Sequence, residues 1–169
     1  MGAQSETRRD DPGTTQSTEA ILRSYPRERD TLLSALHEIQ RRKGGHSWID
    51  GEEIAQIASH YDIPLAELDG IVSFYTMFSR EKRGKHVIRL CDSLSCRVGG
   101  SLDLYQRLRK RLGITAGNTT SDGKYTLEIV NCLGACDKSP NLMIDDTLVS
   151  GLTVDSIDSI LTAFEEAER

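Results

Sequence analysis

Two stretches decide how this chain reads: His86-Val-Ile-Arg-Leu-Cys91-Asp-Ser-Leu-Ser-Cys96 and Tyr125-Thr-Leu-Glu-Ile-Val-Asn-Cys132-Leu-Gly-Ala-Cys136. Each begins as a short β-type run and delivers a pair of cysteines just past the strand end. Two loops at one edge of a sheet bring four sulfurs together. The CxxxxC and CxxxC spacings supply four thiolates to a compact centre, which suits either a structural zinc or an iron-sulfur cluster. Spacing alone leaves both open. Neither pair is the CxxC of a thioredoxin-type redox enzyme. Small residues around the cysteines, namely Ser93, Ser95, Gly99, Gly100, Gly134 and Ala135, let backbone N–H groups approach the sulfurs, where they tune a cluster's potential. A helix beginning near Gly100 is expected to turn its positive end toward the negative charge of a four-thiolate centre.

Outward from these stretches the periodicity changes twice. Leu102, Leu104, Tyr105, Leu108 and Leu112 fall at helical spacing over residues 101–112. Tyr125 to Val130 reads as a strand entered from the turn Ser121-Asp122-Gly123. Leu142 to Ile144 and Thr147 to Val149 read as a hairpin across Asp145-Asp146, and a last helix runs from about Val154 to Ala167 with Thr153 as its cap. This succession predicts an α/β (α+β) arrangement.

Upstream, SREKRGK at residues 79–85 marks a boundary, and residues 21–80 read as a helical bundle. Leu32, Leu33, Leu36 and Ile39 define a helix running from about Tyr25 to a stop at Gly44-Gly45. A second runs from near Asp50 through Ile54, Ile57 and Ala58, and a third begins around Pro64 behind a cap at Asp62. Ile71, Phe74, Tyr75 and Phe78 form a stripe read as core, and Trp48 is read as packing. Residues 1–20 are polar, with almost no large apolar side chain, and are expected to be a flexible tail. The division is therefore a tail (1–20), a helical domain (21–80) and an α/β domain (81–169).

Composition excludes several classes. The 169 residues carry 21 Lys+Arg against 26 Asp+Glu, a net charge of −5, which argues against a nucleic-acid or anionic-membrane binder. The basic run Arg107-Leu-Arg-Lys-Arg111 reads instead as the cationic C-terminal end of a helix. No segment approaches the ~20 apolar residues that span a bilayer. The first twenty residues lack the apolar core of a signal peptide, and Glu6, Asp10, Asp11 and Glu19 count against a transit peptide, so a cytoplasmic protein with reduced thiols is expected. There is no GxGxxG after a strand, no GxxxxGK[ST] and no nucleophile-base arrangement. The histidines, His37, His46, His60 and His86, show no ligand-like spacing, and Asp137 and Lys138 read as a loop beside the last cysteine that Pro140 closes.

At this level of detail the chain resembles the thioredoxin-like [2Fe-2S] ferredoxin family. The resemblance is carried by residues 86–96, by Asn118-Thr-Thr-Ser-Asp-Gly-Lys-Tyr-Thr-Leu127, by Cys132-Leu-Gly-Ala-Cys136-Asp-Lys-Ser-Pro-Asn-Leu-Met-Ile144, and upstream by Gly70-Ile-Val-Ser-Phe-Tyr-Thr-Met-Phe78. It implies a thioredoxin-like domain behind a helical extension, with Cys91, Cys96, Cys132 and Cys136 ligating one [2Fe-2S] cluster. It further implies an electron-transfer subunit of an NADH-quinone oxidoreductase, docked against a flavoprotein subunit that carries FMN and the NADH site, with further iron-sulfur subunits beside it. The implied setting is a peripheral arm on the cytoplasmic side of the inner membrane. The alternatives are the equivalent subunit of a soluble NAD-linked hydrogenase or formate dehydrogenase and, from another class, a zinc-stabilised interaction module.

Overall fold

The structure, a computed structural model, describes residues 16–43 and 48–167. Residues 1–15 of the expected tail, the Gly44-Gly45 helix stop and His46 lie outside the described residues. Within the expected tail, residues 18–20 are helical. Ser17 caps α1 (Thr18–Arg23), accepting a hydrogen bond from the Ala20 amide, so residues 18–20 belong to a helix rather than the tail. Ile21 and Leu22 give this short helix the apolar contacts that hold it in place.

The expected helix from Tyr25 starts later. A 3₁₀ turn (Arg29–Thr31) precedes α2 (Leu32–Arg41), which buries Leu32, Ala35, Leu36 and Ile39. Next comes α3 (Gly51–Tyr61), which opens on a capping box: Asp50 accepts from the Glu53 amide at 2.9 Å while Glu53 Oε2 accepts from the Asp50 amide at 2.8 Å. Glu53 is itself buried, and Arg42, Lys43 (2.7 Å) and Thr18 (3.4 Å) converge on its carboxylate, joining α1, α2 and α3. Asp62 does not cap the following helix. It is the left-handed residue (φ 52°) that ends α3, and Pro64 stands at the start of α4 (Leu65–Phe74).

The aromatic stripe is the other departure in this half of the chain. Because α4 ends at Phe74 and Tyr75 is already extended, Phe78 does not continue the helical face; Leu68 and Val72 supply the buried contacts and Phe74 is 77% exposed. Phe78 joins the same core from beyond the helix end, 4.8 Å between ring centroids from His37 and 6.3 Å from Tyr75, and Ile71 and Tyr75 pack against that core, so the stripe is core except at Phe74. Trp48 is half-buried, with Lys43 Nζ 4.0 Å above its ring.

Four strands follow: β1 (His86–Cys91), β2 (Tyr125–Val130), β3 (Asn141–Ile144) and β4 (Thr147–Ser150), in the order β2-β1-β3-β4. The first two are parallel, with Cys91 opposite Val130, and the others antiparallel. A parallel pair needs a crossover, supplied by α5 (Leu94–Val98) and α6 (Ser101–Leu112). α5 is an element the sequence reading did not anticipate. α6 buries Leu104 and Leu108 against Ile88, Leu90, Leu127, Leu142 and Ile144 of the sheet, and α7 (Ser156–Ala167) adds Ile157 and Leu161. Thr153 caps α7 as expected, accepting from the Ser156 amide at 3.3 Å while the Ser156 hydroxyl accepts from the Thr153 amide at 3.1 Å. The buried apolar residues thus form two clusters, one drawn from positions 21–78 and one from positions 88–161.

Two predictions test this architecture. A Cβ built on Gly84 would lie 2.8 Å from the Tyr125 carbonyl carbon and 3.0 Å from that of Lys124, both backbone atoms that cannot swing aside. Gly84→Ala is expected to lower stability by about 1–3 kcal/mol in denaturant titration, the usual cost of overpacking. The second concerns acid. The Glu53 amide, and after it Lys43, hold the Asp50 carboxyl below the ordinary aspartate range despite partial burial. A depressed folded-state pKa contributes stability that is present above the unfolded value of about 3.9 and is lost as pH falls through the folded value. Asp50→Asn, which keeps the cap but cannot titrate, should lose less stability than the parent chain when urea titrations at about pH 5 and about pH 3 are compared.

Candidate metal centre

Parallel pairing places the ends of β1 and β2 at the same sheet edge. Cys91 closes β1 and is 1% exposed; Cys96, in α5, is fully buried. After β2, Cys132 and Cys136 lie on an exposed loop with their sulfurs 3.8 Å apart. The two halves of the site touch: the Asp92 amide donates to the Val130 carbonyl at 2.8 Å, the Cys91 thiol donates to the Asn131 carbonyl at 3.1 Å, and the Ser93 hydroxyl donates to that same carbonyl.

Donors surround the sulfurs. Burial opposes ionisation of Cys91, but the Ser93 amide, the neighbouring Cys96 thiol, the Leu133 amide and the Ser93 hydroxyl together hold the Cys91 thiol below its ordinary value. Burial pushes Cys96 up, and so does the adjacent Cys91, while the backbone and side-chain amides of Asn141 work the other way. Cys136 is raised mainly by its hydrogen bond with Cys132 and then by that sulfur's charge. The Gly134 amide donates to Cys132 Sγ at 3.4 Å, and its φ of 82° is a left-handed conformation that glycine adopts without strain. The positive helix end expected near Gly100 does form at Ser101, but the helix start that reaches a sulfur is that of α5, through Ser93.

The donor set suits a binuclear cluster. Two thiols come from each loop, Cys91 beside Cys96 and Cys132 beside Cys136, which matches in number and kind the four thiolates that a [2Fe-2S] cluster would take. Within each pair, ionising one thiol raises the cost of ionising the other, a penalty that a bound cation removes. The other singled-out residues lie elsewhere. Arg107 and Arg111 pair with Asp158 of α7, and His86, at the far end of β1 from Cys91, is buried with its Nδ1 2.7 Å from Asp145. His60 Nε2 lies 3.2 Å from the Tyr25 carbonyl oxygen. Asp137 and Lys138 are exposed beside Cys136. Asn141, 1% exposed at the start of β3, carries no local sequence signal, since no spacing rule marks a polar residue buried at a strand start.

The fold and its four gathered thiols are those of a thioredoxin-like domain with a candidate metal centre. A profile of the thioredoxin-like [2Fe-2S] ferredoxin family matches residues 18–165, and the chain belongs to that family. Curated relatives that it resembles include NADH-quinone oxidoreductase E subunits. That of Pseudomonas aeruginosa is 36% identical over 148 residues, covering 88% of this chain and 87% of the relative. That of Escherichia coli K12 is 35% identical over 150 residues, 89% of each, and that of Aquifex aeolicus 39% identical over 122 residues, 72% of this chain and 74% of the relative. Among solved structures, an NAD+-reducing [NiFe]-hydrogenase in the air-oxidized state superposes with a TM-score of 0.69 at 22% identity, which shows a shared fold. The match covers 81% of this chain and 23% of that longer hydrogenase chain.

The burial difference between the two pairs makes a prediction for the metal-free chain. In the fully reduced, metal-free chain freed of reductant under anaerobic native conditions, iodoacetamide should alkylate Cys132 and Cys136 quickly, and Cys91 and Cys96 only at the rate of local opening. Peptide mass mapping of early time points distinguishes this from four equal rates.

Proposed function

We propose that Cys91, Cys96, Cys132 and Cys136 hold one [2Fe-2S] cluster, and that the chain is an electron-transfer subunit of an NADH-quinone oxidoreductase. The observation that carries this reading is the parallel β1–β2 pair, which brings a buried and an exposed thiol pair to one sheet edge. Such a cluster exchanges one electron at a time with a neighbouring redox group. The chain's own part is to hold the two thiol pairs apart from bulk water on one side, direct the Ser93, Leu133 and Gly134 amides at the sulfurs, and leave the Cys132–Cys136 side open to a partner. That partner is a subunit that binds FMN and oxidises NADH, with further iron-sulfur subunits completing the assembly.

Leu94 and Val98, 81% and 83% exposed on α5 between and just past the first pair, give the same edge an apolar border suited to docking that flavoprotein. Among the described residues no helix is long and apolar enough to cross a membrane, so attachment at the cytoplasmic face of an inner membrane would run through other subunits. The hydrogenase likeness supports the same role in a soluble NAD-linked hydrogenase as a second reading. Identity to the E subunits over nearly the full chain favours the quinone-linked assembly.

Anaerobic purification followed by visible spectroscopy and low-temperature EPR of the dithionite-reduced protein tests the cofactor. About two irons and two sulfides per chain and a rhombic signal from the reduced sample are expected. A colourless, EPR-silent protein with stoichiometric zinc would sink the proposal. Each single Cys→Ser variant at the four positions should weaken or abolish the signal, and co-purification of a flavoprotein with or without hydrogenase subunits decides between the two assemblies.

A further inference from the structure

Asn141 begins β3 immediately after the Ser139-Pro140 bond. Its neighbour Leu142 is the register partner of Leu90, so Asn141 stands at the sheet edge where Cys91 ends β1. The side chain is 1% exposed. Its Nδ2 donates to the Ala135 carbonyl at 2.6 Å, in the loop between Cys132 and Cys136, and to Cys96 Sγ at 3.7 Å. One amide group thus spans the two ligand pairs, while its own Oδ1 is buried with no hydrogen-bond partner.

A buried carboxamide that leaves its acceptor unpaired forgoes stability that a well-packed apolar residue of like volume would not. The geometry explains what the donor end does instead. Both Nδ2 contacts run to groups that become more negative, or are brought closer to negative charge, when four thiolates gather: a sulfur, and a carbonyl whose loop carries two more sulfurs. Donors to a cluster's sulfurs favour its reduced, more negative state and so raise its reduction potential. From these contacts we infer that Asn141 is a positioning and tuning residue: it fixes the Cys132–Cys136 loop against Cys96 and holds the potential of the centre up by donating to the Cys96 sulfur. This rests on the reading that the four cysteines hold the cluster. The Asn141 backbone amide also points to Cys96, so replacing the side chain removes one donor and leaves the other in place.

The test uses the full chain, anaerobically reconstituted with iron and sulfide, in three forms: parent, Asn141→Leu and Asn141→Asp. Leu keeps the branched skeleton, with bulkier methyl ends, and deletes the donor; ionised Asp keeps the shape, deletes the donor and adds a negative charge. If the parent takes up no iron and sulfide, the cluster reading fails before Asn141 is at issue. With a loaded parent, the expected result is that the variants retain about two irons per chain, that EPR-monitored redox titration shows a midpoint more negative in the Leu variant and more negative still in the Asp variant above its carboxyl pKa, and that a ferrous chelator strips iron from both several-fold faster. A merely structural role would lower melting temperature without moving the midpoint. Midpoints and iron-release rates equal to the parent in either loaded variant would overturn the inference.

Discussion

The site exists because β1 and β2 run parallel. In register, Cys91 faces Val130, and Cys132 follows two residues later, so both cysteine loops leave the sheet in the same direction. Were β2 antiparallel, its cysteine loop would leave from the opposite edge, about 20 Å away for a six-residue strand at ~3.3 Å per residue. No side-chain adjustment closes such a gap. The parallel arrangement in turn dictates the crossover, and the crossover needs an apolar face. Leu104 and Leu108 of α6 supply it, each fully or nearly fully buried against the sheet. Thus the least chemical residues in the domain determine whether the most chemical ones meet.

Once the strands fix where the thiols are, the loops determine what they can become. A thiolate buried as deeply as Cys91 or Cys96 is costly unless donors surround it. The chain provides those donors from the backbone, through Ser93 and Leu133 at Cys91, Gly134 at Cys132 and Asn141 at Cys96. Backbone amides are well suited to this, since they are fixed by the fold and carry no charge that would itself titrate. The small residues flanking the cysteines serve that approach. At Gly134 the requirement is also conformational, because its φ of 82° belongs to the left-handed region.

Legibility in the sequence followed the length and regularity of each signal. α6 and β2 were readable to the residue, because twelve residues at period 3.6 and a strand bounded by a glycine turn leave little freedom. α5 was not, since Leu94 and Val98 point outward and a five-residue helix whose one buried side chain is Cys96 has no apolar stripe to advertise it. Asp62 looked like a cap by residue type, yet a left-handed C-terminus uses the same residue for the opposite purpose. The stripe through Phe74 and Phe78 assumed a helix that stops between them. For the site, the four cysteines and their pairing with strand ends were legible. The unequal burial of the pairs and the place of Asn141 depend on β3 lying beside β1, a long-range fact that local patterns do not encode.

Parallel pairing still leaves register to be specified, and here charge does what apolar contacts cannot. β1 is covered along its length and β2 over its first three residues, so a slip of one residue would exchange one buried face for the other there and move Cys91 off its position beside Val130. Arg89 and Glu128 are direct partners across that pair, 3.2 Å apart, and Glu128 also receives Arg83 at 2.7 Å. Arg83 is itself buried, which pushes its pKa down against the opposing pull of Glu128, and it donates to the carbonyls of Thr76, Met77 and Phe78 at the end of the helical region. In a slipped register Glu128 would face no cation while two guanidiniums lost their counter-charge, a loss that costs several kcal/mol where charges are shielded from water. The Arg83–Glu128–Arg89 triad therefore does two things with one carboxylate. It sets the register that aligns the cysteine loops, and it binds the helical region to the strand that leads into Cys132, so the helices and the thiols are held to a common frame.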